Sequence, residues 1–140
     1  MVSLIDTGVG KRPEPGSGFI SVGERSIDER TAEIVVAGEL DLATAPRLKW
    51  SLMDSLKAGH KLLLVNLGEV TFIDSTALSV LVGVHRKLDD GAHMAVVCTN
   101  PNVLRIFEVA GLKVAFEIFP TPEQGLSYLR EGTPATPPGA

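Results

Sequence analysis

The chain has 140 residues, of which 44% are hydrophobic and 21% are charged, and its net charge is −4. This length allows one domain with its own core, and the composition is ordinary for a soluble globular protein. No apolar run approaches the roughly 20 residues of a membrane-spanning helix, and the N-terminus lacks the pattern of a signal peptide. The basic residues are dispersed and form no face that would neutralise phosphates. We therefore predict a cytoplasmic protein that binds neither membrane nor nucleic acid.

Both ends of the chain have an unusual composition. Five of the nine prolines lie there, among glycine, serine and threonine residues. Such segments bury too little apolar surface to offset the entropy lost on ordering. We predict disordered tails at residues 1–18 and 132–140 around one folded domain at residues 19–131. The glycines within residues 8–11 resemble part of a phosphate-binding loop without its full spacing, and we assign them to the tail.

The predicted domain opens with a β-hairpin, whose strands cover residues 19–26 and 31–37. A polar turn at residues 28–30 joins the two strands. A helix follows, with Thr44 as its predicted N-cap and Pro46 in its first turn, where a missing N–H costs little. Gly59 ends this helix. Its buried stripe is predicted to consist of Ala45, Leu48, Leu52 and Leu56.

Strands and helices alternate through the remainder of the domain. The apolar runs predict strands at residues 61–67, 93–98 and 114–119. Helical patterns cover residues 75–89, 102–110 and 123–130. An opening hairpin followed by alternating elements predicts an α/β fold, with a mixed, mostly parallel sheet of four to five strands and about four helices.

Three polar segments follow consecutive predicted strands. Residues 38–41 (Gly-Glu-Leu-Asp) follow the second strand, and residues 72–76 (Phe-Ile-Asp-Ser-Thr) follow the third after a short loop. Residues 99–101 (Thr-Asn-Pro) follow the fourth. If these strands are parallel, all three segments leave the same carboxyl edge of the sheet, which is where open α/β folds usually place their sites.

Ser75 is the strongest candidate for a functional group in these segments, and it stands at the predicted start of a helix. Backbone N–H groups and the positive end of the helix dipole accommodate a phosphate there, with a gain of about 0.3–1 kcal/mol. The structural alternative is that Asp74 or Ser75 only caps the helix. Spacing alone leaves both interpretations open.

Two further features surround Ser75. The carboxylates of Glu39 and Asp41 either orient its hydroxyl, bind a cation of a partner, or keep a loop solvated. Since Thr44 and Pro46 provide a helix start, Asp41 is not expected to act as a cap. The helix after Ser75 is apolar almost all round in its first two turns, Leu78 included, so its surplus face must meet either neighbouring helices or a protein partner.

Other chemistries lack the residues they require. His60, His85 and His93 have no partners at zinc-ligand spacing, so neither a metal site nor a cofactor is predicted. Ser75 lies outside any Gly-x-Ser-x-Gly elbow, which argues against a serine hydrolase. Cys98 lies in an apolar run and is predicted to be a buried structural thiol. We expect a protein without enzymatic activity.

Three segments together resemble the STAS family, and within it the bacterial anti-sigma factor antagonists. They are residues 38–41, the run 66–76 that ends in Asp-Ser-Thr, and residues 109–112 (Val-Ala-Gly-Leu). The resemblance covers roughly residues 20–130. It implies a STAS fold, a partner-binding surface and transcription regulation through a sigma factor, as in stress responses.

The resemblance also implies a switching cycle. An anti-sigma factor that is a serine kinase would phosphorylate Ser75, with Thr76 as the alternative acceptor, and a PP2C-type metal-dependent phosphatase would reverse the reaction. The unphosphorylated protein, a monomer or weak dimer, would bind the anti-sigma factor. The partner-binding residues expected from the motifs and the helix face are Glu39, Asp41, Asp74, Ser75, Thr76 and Leu78.

Two points qualify this expectation. Ala77 stands where the family usually has glycine, and its methyl group is expected to hinder a partner that approaches closely. The alternative function is a constitutive STAS interaction subunit of a transporter or stress-signalling complex, which would never be phosphorylated.

Overall fold

A computed structural model describes residues 20–89, 91–112 and 116–131. Within them the chain forms five strands and four helices, which confirms the predicted α/β fold class. The predicted tails lie outside the described residues. The elements in chain order are β1 (Ile20–Ser26), β2 (Thr31–Leu40), α1 (Ala45–Lys57), β3 (Leu62–Ile73), α2 (Ser75–Arg86), β4 (His93–Val97), α3 (Pro101–Val109), β5 (Glu117–Phe119) and α4 (Pro122–Glu131).

The strands form one mixed sheet in the order β1-β2-β3-β4-β5. β1 is antiparallel to β2, and the other neighbouring pairs are parallel. The predicted hairpin turn is present, because the Thr31 carbonyl accepts hydrogen bonds from the backbone N–H groups of Ile27 and Asp28. The Asp28 carboxylate accepts in turn from the N–H groups of Arg30 and Thr31, as expected of a turn-forming aspartate.

Helices cover the sheet on both faces, so the core has two parts. The larger part lies between the sheet and helices α1, α2 and α3. The smaller part lies under α4, where Leu129 packs with Leu62, Leu64, Ala95 and Val97. Strands β3 and β4 are therefore buried on both faces, which is why they read as continuous apolar runs in the sequence.

Strand β2 has the alternating pattern predicted for it, with Ala32, Ile34 and Val36 fully buried in the larger core. Glu33, on the opposite face, is also buried. Its carboxylate is paired with the Arg25 guanidinium at 2.8 Å and accepts a hydrogen bond from the Asn66 side-chain amide at 2.9 Å. Because a buried carboxylate is costly unless it is paired, these two partners explain why it is tolerated.

Strands β2 and β3 extend well beyond their predicted ends at residues 37 and 67. They pair with each other as far as Leu40 and Ile73, with one register shift before the pair formed by Ala37 and Glu69 and another after the pair formed by Gly38 and Val70. Gly38 absorbs part of the irregularity with a φ of 110°, which few other residues adopt. Both strands were predicted too short because glycine and glutamate, which occur near each predicted end, are uncommon in strands. Consequently residues 38–40 and 72–73 lie within strands, and no loop separates β3 from the site that follows it.

Candidate functional site

The candidate site lies where β2 and β3 end side by side. The backbone N–H of Asp74 donates to the Leu40 carbonyl at 3.0 Å, so the first residue after β3 is joined to the last residue of β2. The chain then continues into α1 after Asp41 and into α2 after Asp74. The predicted convergence of these two segments is therefore confirmed.

The Asp74 carboxylate holds two separate pieces of backbone. One oxygen accepts from the N–H of Ala77 at 3.1 Å, which is the N-cap interaction of α2. The other accepts from the N–H of Leu42, in the loop after β2, at 3.2 Å. Asp74 therefore caps the helix and ties the β2–α1 loop to it, and the capping alternative holds for Asp74 rather than for Ser75.

Ser75 is the first residue of α2, and it is exposed. Within the described residues its hydroxyl makes no hydrogen bond, while its carbonyl accepts from the Ser79 hydroxyl at 3.0 Å. The N–H groups of a first helical turn lack intrahelical partners, and the carboxylate of Asp74 satisfies only one of them. Thr76, the alternative acceptor, is half-buried.

The Asp41 carboxylate organises its own loop. It accepts hydrogen bonds from the N–H groups of Ala43 and Thr44 and lies 3.1 Å from the Thr44 hydroxyl. That hydroxyl donates to the Glu39 carbonyl at 2.6 Å and makes no cap interaction with α1. Thr44 occupies the predicted N-cap position, but the expectation that its side chain caps α1 was wrong, because the hydroxyl turns back towards β2. The Asp41 carboxylate accepts from loop residues that precede α1, so Asp41 does not cap the helix, as expected.

The third predicted segment does not reach the site. The Asn100 side-chain amide donates to the Val70 carbonyl at 3.4 Å, and its oxygen caps α3 by accepting from the N–H of Asn102. Val70 lies three residues before the end of β3, which corresponds to roughly 10 Å of strand. Because β4 ends at Val97 and β3 continues to Ile73, residues 99–101 stay below the edge where Ser75 lies.

Beside Ser75 a shallow groove of about 410 Å³ runs along α2. It is lined by Ser75, Leu78, Ser79, Val82, Gly83 and Arg86 from α2 and by Ala110 and Leu112 after α3. The rest of the apolar surface of α2 packs against the core, including the half-buried Val80. Neighbouring elements therefore cover most of the predicted surplus apolar face, and the groove is the part they leave open.

The comparisons with known proteins agree on the family. The model of the STAS domain family matches residues 25–125, which is most of the chain. The chain belongs to this family, among the anti-sigma factor antagonists. The anti-sigma-B factor antagonist of Listeria monocytogenes is 36% identical over 101 residues, which are 71% of this chain and 86% of the relative. Members of this family are regulatory binding proteins.

Solved structures show the same fold. An anti-sigma factor antagonist from Mycobacterium paratuberculosis superposes with a TM-score of 0.77 and 26% identity, over 84% of this chain and 99% of the other. The phosphorylated form of the Bacillus cell fate determinant SpoIIAA superposes with a TM-score of 0.61 and 18% identity, over 79% and 100% of the two chains. Because only 18% of the residues are identical, the similarity to SpoIIAA establishes the fold alone.

Two expectations about the first turn of α2, one from the resemblance and one from the apolar helix face, change with the structure. Ala77 is fully buried, so its methyl group faces the core and cannot obstruct an approaching partner. Leu78 is only 3% exposed, so as a predicted partner contact it offers no more than part of the groove floor. Both lie on the inner side of α2, which its almost uniformly apolar sequence did not reveal.

Sequence reasoning also missed several exposed hydrophobic residues of this antagonist domain. Leu42, Trp50, Phe72 and Val109 are between 49% and 77% exposed. Leu42 follows directly after the Gly-Glu-Leu-Asp segment. Trp50 lies outside the predicted buried stripe of α1, and this position would have identified it as an exposed residue.

Outside the site, the described ranges contain no cluster of three or more histidine, cysteine, aspartate or glutamate residues suited to a metal ion. None of the helices within residues 20–89, 91–112 and 116–131 is long and apolar enough to cross a membrane. Cys98 is a buried free thiol, as predicted.

Proposed function

We propose that this antagonist binds an anti-sigma factor through the start of α2 while Ser75 carries a free hydroxyl, and releases it when Ser75 is phosphorylated. The observation that carries this proposal is that two adjacent residues have separate roles. The Asp74 carboxylate makes the hydrogen bonds that hold the start of α2, whereas Ser75 is exposed and its hydroxyl makes no hydrogen bond within the described residues. A modification of Ser75 therefore leaves the contacts that hold the site intact.

The fold tolerates a phosphate at this position. A phosphate on Ser75 lies at the amino end of a helix of 12 residues, where unpaired N–H groups and the helix dipole favour negative charge. The gain is about 0.3–1 kcal/mol for an exposed site. The existence of a phosphorylated form of SpoIIAA supports the compatibility of this fold with the modification.

The same phosphate opposes binding at an interface. It adds about −1.5 to −2 charge directly beside the Asp74 carboxylate. A partner seated in the apolar groove would remove water from both groups and strengthen their repulsion. A penalty of about 3 kcal/mol weakens binding roughly 100-fold, which exceeds the gain from the helix dipole.

The chemistry of the partner follows from that of the groove. Val82 and Leu112 contribute apolar surface, and Arg86 contributes a positive charge at the end remote from Ser75. We propose that the anti-sigma factor is itself the serine kinase, so that the surface that is recognised is also the surface that is modified. A PP2C-type phosphatase resets the switch. Thr76 is the weaker acceptor because it is half-buried.

Substitution of Ser75 tests the proposal. Ser75→Ala should bind the anti-sigma factor as the wild type does and should resist phosphorylation by its kinase. Ser75→Glu should bind about tenfold more weakly, since it adds one charge rather than two. Thr121→Glu is a matched control, because Thr121 is an exposed hydroxyl residue at the start of α4, where its side chain accepts from the N–H of Gln124.

The partner is first identified by affinity capture on immobilised Ser75→Ala protein followed by mass spectrometry, and the affinities are then measured by calorimetry with the purified anti-sigma factor. Intact-mass measurement after incubation with this kinase and ATP reports the phosphate. A wild-type protein that binds but never gains a phosphate would identify a constitutive interaction subunit. Equal affinities of Ser75→Glu and wild type would refute the charge-gated switch.

A further inference from the structure

The outer face of α1 carries an exposed aromatic residue. Trp50 is the only tryptophan of the chain, and 64% of it is exposed. Pro46, one turn earlier, is also exposed, and Met53, one turn later, is half-buried. Tryptophan is enriched among the residues that dominate protein interfaces, because it offers a large rigid apolar surface together with an N–H donor.

The charge of this face is opposite to that of the molecule. Helix α1 carries the exposed basic residues Arg47, Lys49 and Lys57 and a single acidic residue, Asp54. The face is therefore positive by two charges on a chain whose net charge is −4. Neither lysine takes part in the ion pairs found among the described residues. Such a face is complementary to an acidic surface, not to a second copy of itself.

The face adjoins the proposed switch. Helices α1 and α2 pack against each other on the same side of the sheet, and both begin at the edge where β2 and β3 end. Leu42, which is 72% exposed, precedes α1 and is bonded through its N–H to Asp74, next to Ser75. Trp50 lies five residues after the start of α1, or about 7.5 Å along its axis. A standard interface of about 800 Å² per partner is roughly 30 Å across, which is several times this spacing.

We propose that Leu42, Trp50 and the lysines of α1 form a second contact region for the anti-sigma factor, which meets them with an apolar pocket rimmed by acidic side chains. We call this region the α1 contact face. It rests on the proposed function, and it adds affinity that does not depend on the modification state of Ser75. Ser75 then gates a complex whose strength comes in part from α1.

Intrinsic fluorescence tests the aromatic anchor directly, because Trp50 is the only tryptophan. Adding the purified anti-sigma factor captured by Ser75→Ala, with its own tryptophans replaced by phenylalanine, should shift the emission to shorter wavelength as the indole leaves water. Trp50→Ala should weaken binding about thirtyfold. Val109→Ala is the matched control, since Val109 is 77% exposed on α3, and it should bind as the wild type does.

A double substitution tests the charges. Lys49→Glu with Lys57→Glu should slow association with the same anti-sigma factor and reduce the salt dependence of the rate. Lys49→Arg with Lys57→Arg should restore both. Arg105→Glu, at an exposed position of α3, is the charge control and should change neither.

Three outcomes would overturn the α1 contact face. The first is wild-type affinity of Trp50→Ala for the anti-sigma factor, with an unchanged emission. The second is a blue shift on concentrating the antagonist alone, which would assign the face to a second copy. The third is a blue shift with vesicles of phosphatidylglycerol and phosphatidylcholine, which would assign it to a membrane. In the first case a weakened Ser75→Glu variant would still uphold the proposed switch, so the two proposals fail separately.

Discussion

Replacing Asp74 with alanine should destabilise the domain, since one carboxylate holds both the start of α2 and the loop before α1. Loss of an N-cap costs about 1 kcal/mol. The second hydrogen bond, to the exposed N–H of Leu42, adds about 0.5–1 kcal/mol, because water replaces the carboxylate only in part. Loss of a negative charge at the amino end of a helix adds a few tenths of a kcal/mol. The sum is about 2 kcal/mol.

Urea unfolding followed by circular dichroism measures this loss. For a domain of this size the slope is about 1–3 kcal/mol/M, so the midpoint of Asp74→Ala should fall by about 1 M urea. Asp74→Asn separates the two contacts. Asparagine caps a helix as well as aspartate does, but its amide nitrogen cannot accept from Leu42, so about half of the loss should remain.

Asp54→Ala is the control, because Asp54 is an exposed acidic residue of α1 whose replacement should change the free energy of unfolding by less than about 0.5 kcal/mol. The reasoning would be refuted if Asp74→Ala unfolded at the same urea concentration as this control. It would be refuted in part if Asp74→Asn were as unstable as Asp74→Ala, since the capping contribution would then be absent.

Two further predictions concern packing and burial. Gly125→Ala should lower the free energy of unfolding by about 1–2 kcal/mol, because its new Cβ would lie 2.5 Å from the fully buried Leu64 side chain. Gly83→Ala has open space around it and should instead raise the free energy of unfolding by up to about 1 kcal/mol. Thermal unfolding of both variants should therefore show shifts of opposite sign. Burial raises the pKa of the Cys98 thiol above its ordinary value of about 8.5. The contribution of the protonated thiol to the free energy of unfolding is therefore complete below about pH 8.5 and declines as the pH rises through the folded-state pKa. Thermal unfolding between about pH 7 and 10 should show a smaller decline for Cys98→Ala, and an equal decline in both proteins would contradict this assignment.

The order and type of the elements were predictable from the sequence. The alternation of Ala32, Ile34 and Val36 marked the core face of β2, and the continuous apolar run after residue 61 marked a strand covered on both sides. Both patterns follow directly from burial, which acts on each element through its own periodicity. The ends of β2 and β3 were placed too early, since a Gly-Glu pair, at residues 38–39 in β2 and 68–69 in β3, interrupts each apolar pattern. Pairing between the two strands carries both of them past these poor strand formers.

The roles within the site were less predictable. The sequence placed Asp74 and Ser75 at a helix start but left open which of them caps it. The structure shows that Asp74 caps it, through the N–H of Ala77. The second role of Asp74 involves Leu42, 32 residues away, whose N–H is brought to Asp74 by the pairing of β2 with β3. In the same way Ala77 and Leu78 were read as exposed to a partner, and the packing of α2 on the sheet turns them inward.

The sequence by itself therefore determined the fold class, the family and the position of Ser75 at a helix start, because these depend on local periodicity and on short motifs. Only the tertiary structure decided which side chains remain exposed around that serine and which carboxylate supports the site. The physical reason is that exposure and hydrogen-bond partnership are properties of neighbours in space. Residues such as Leu42 and Trp50 acquire their surroundings only when the strands pair and the helices pack.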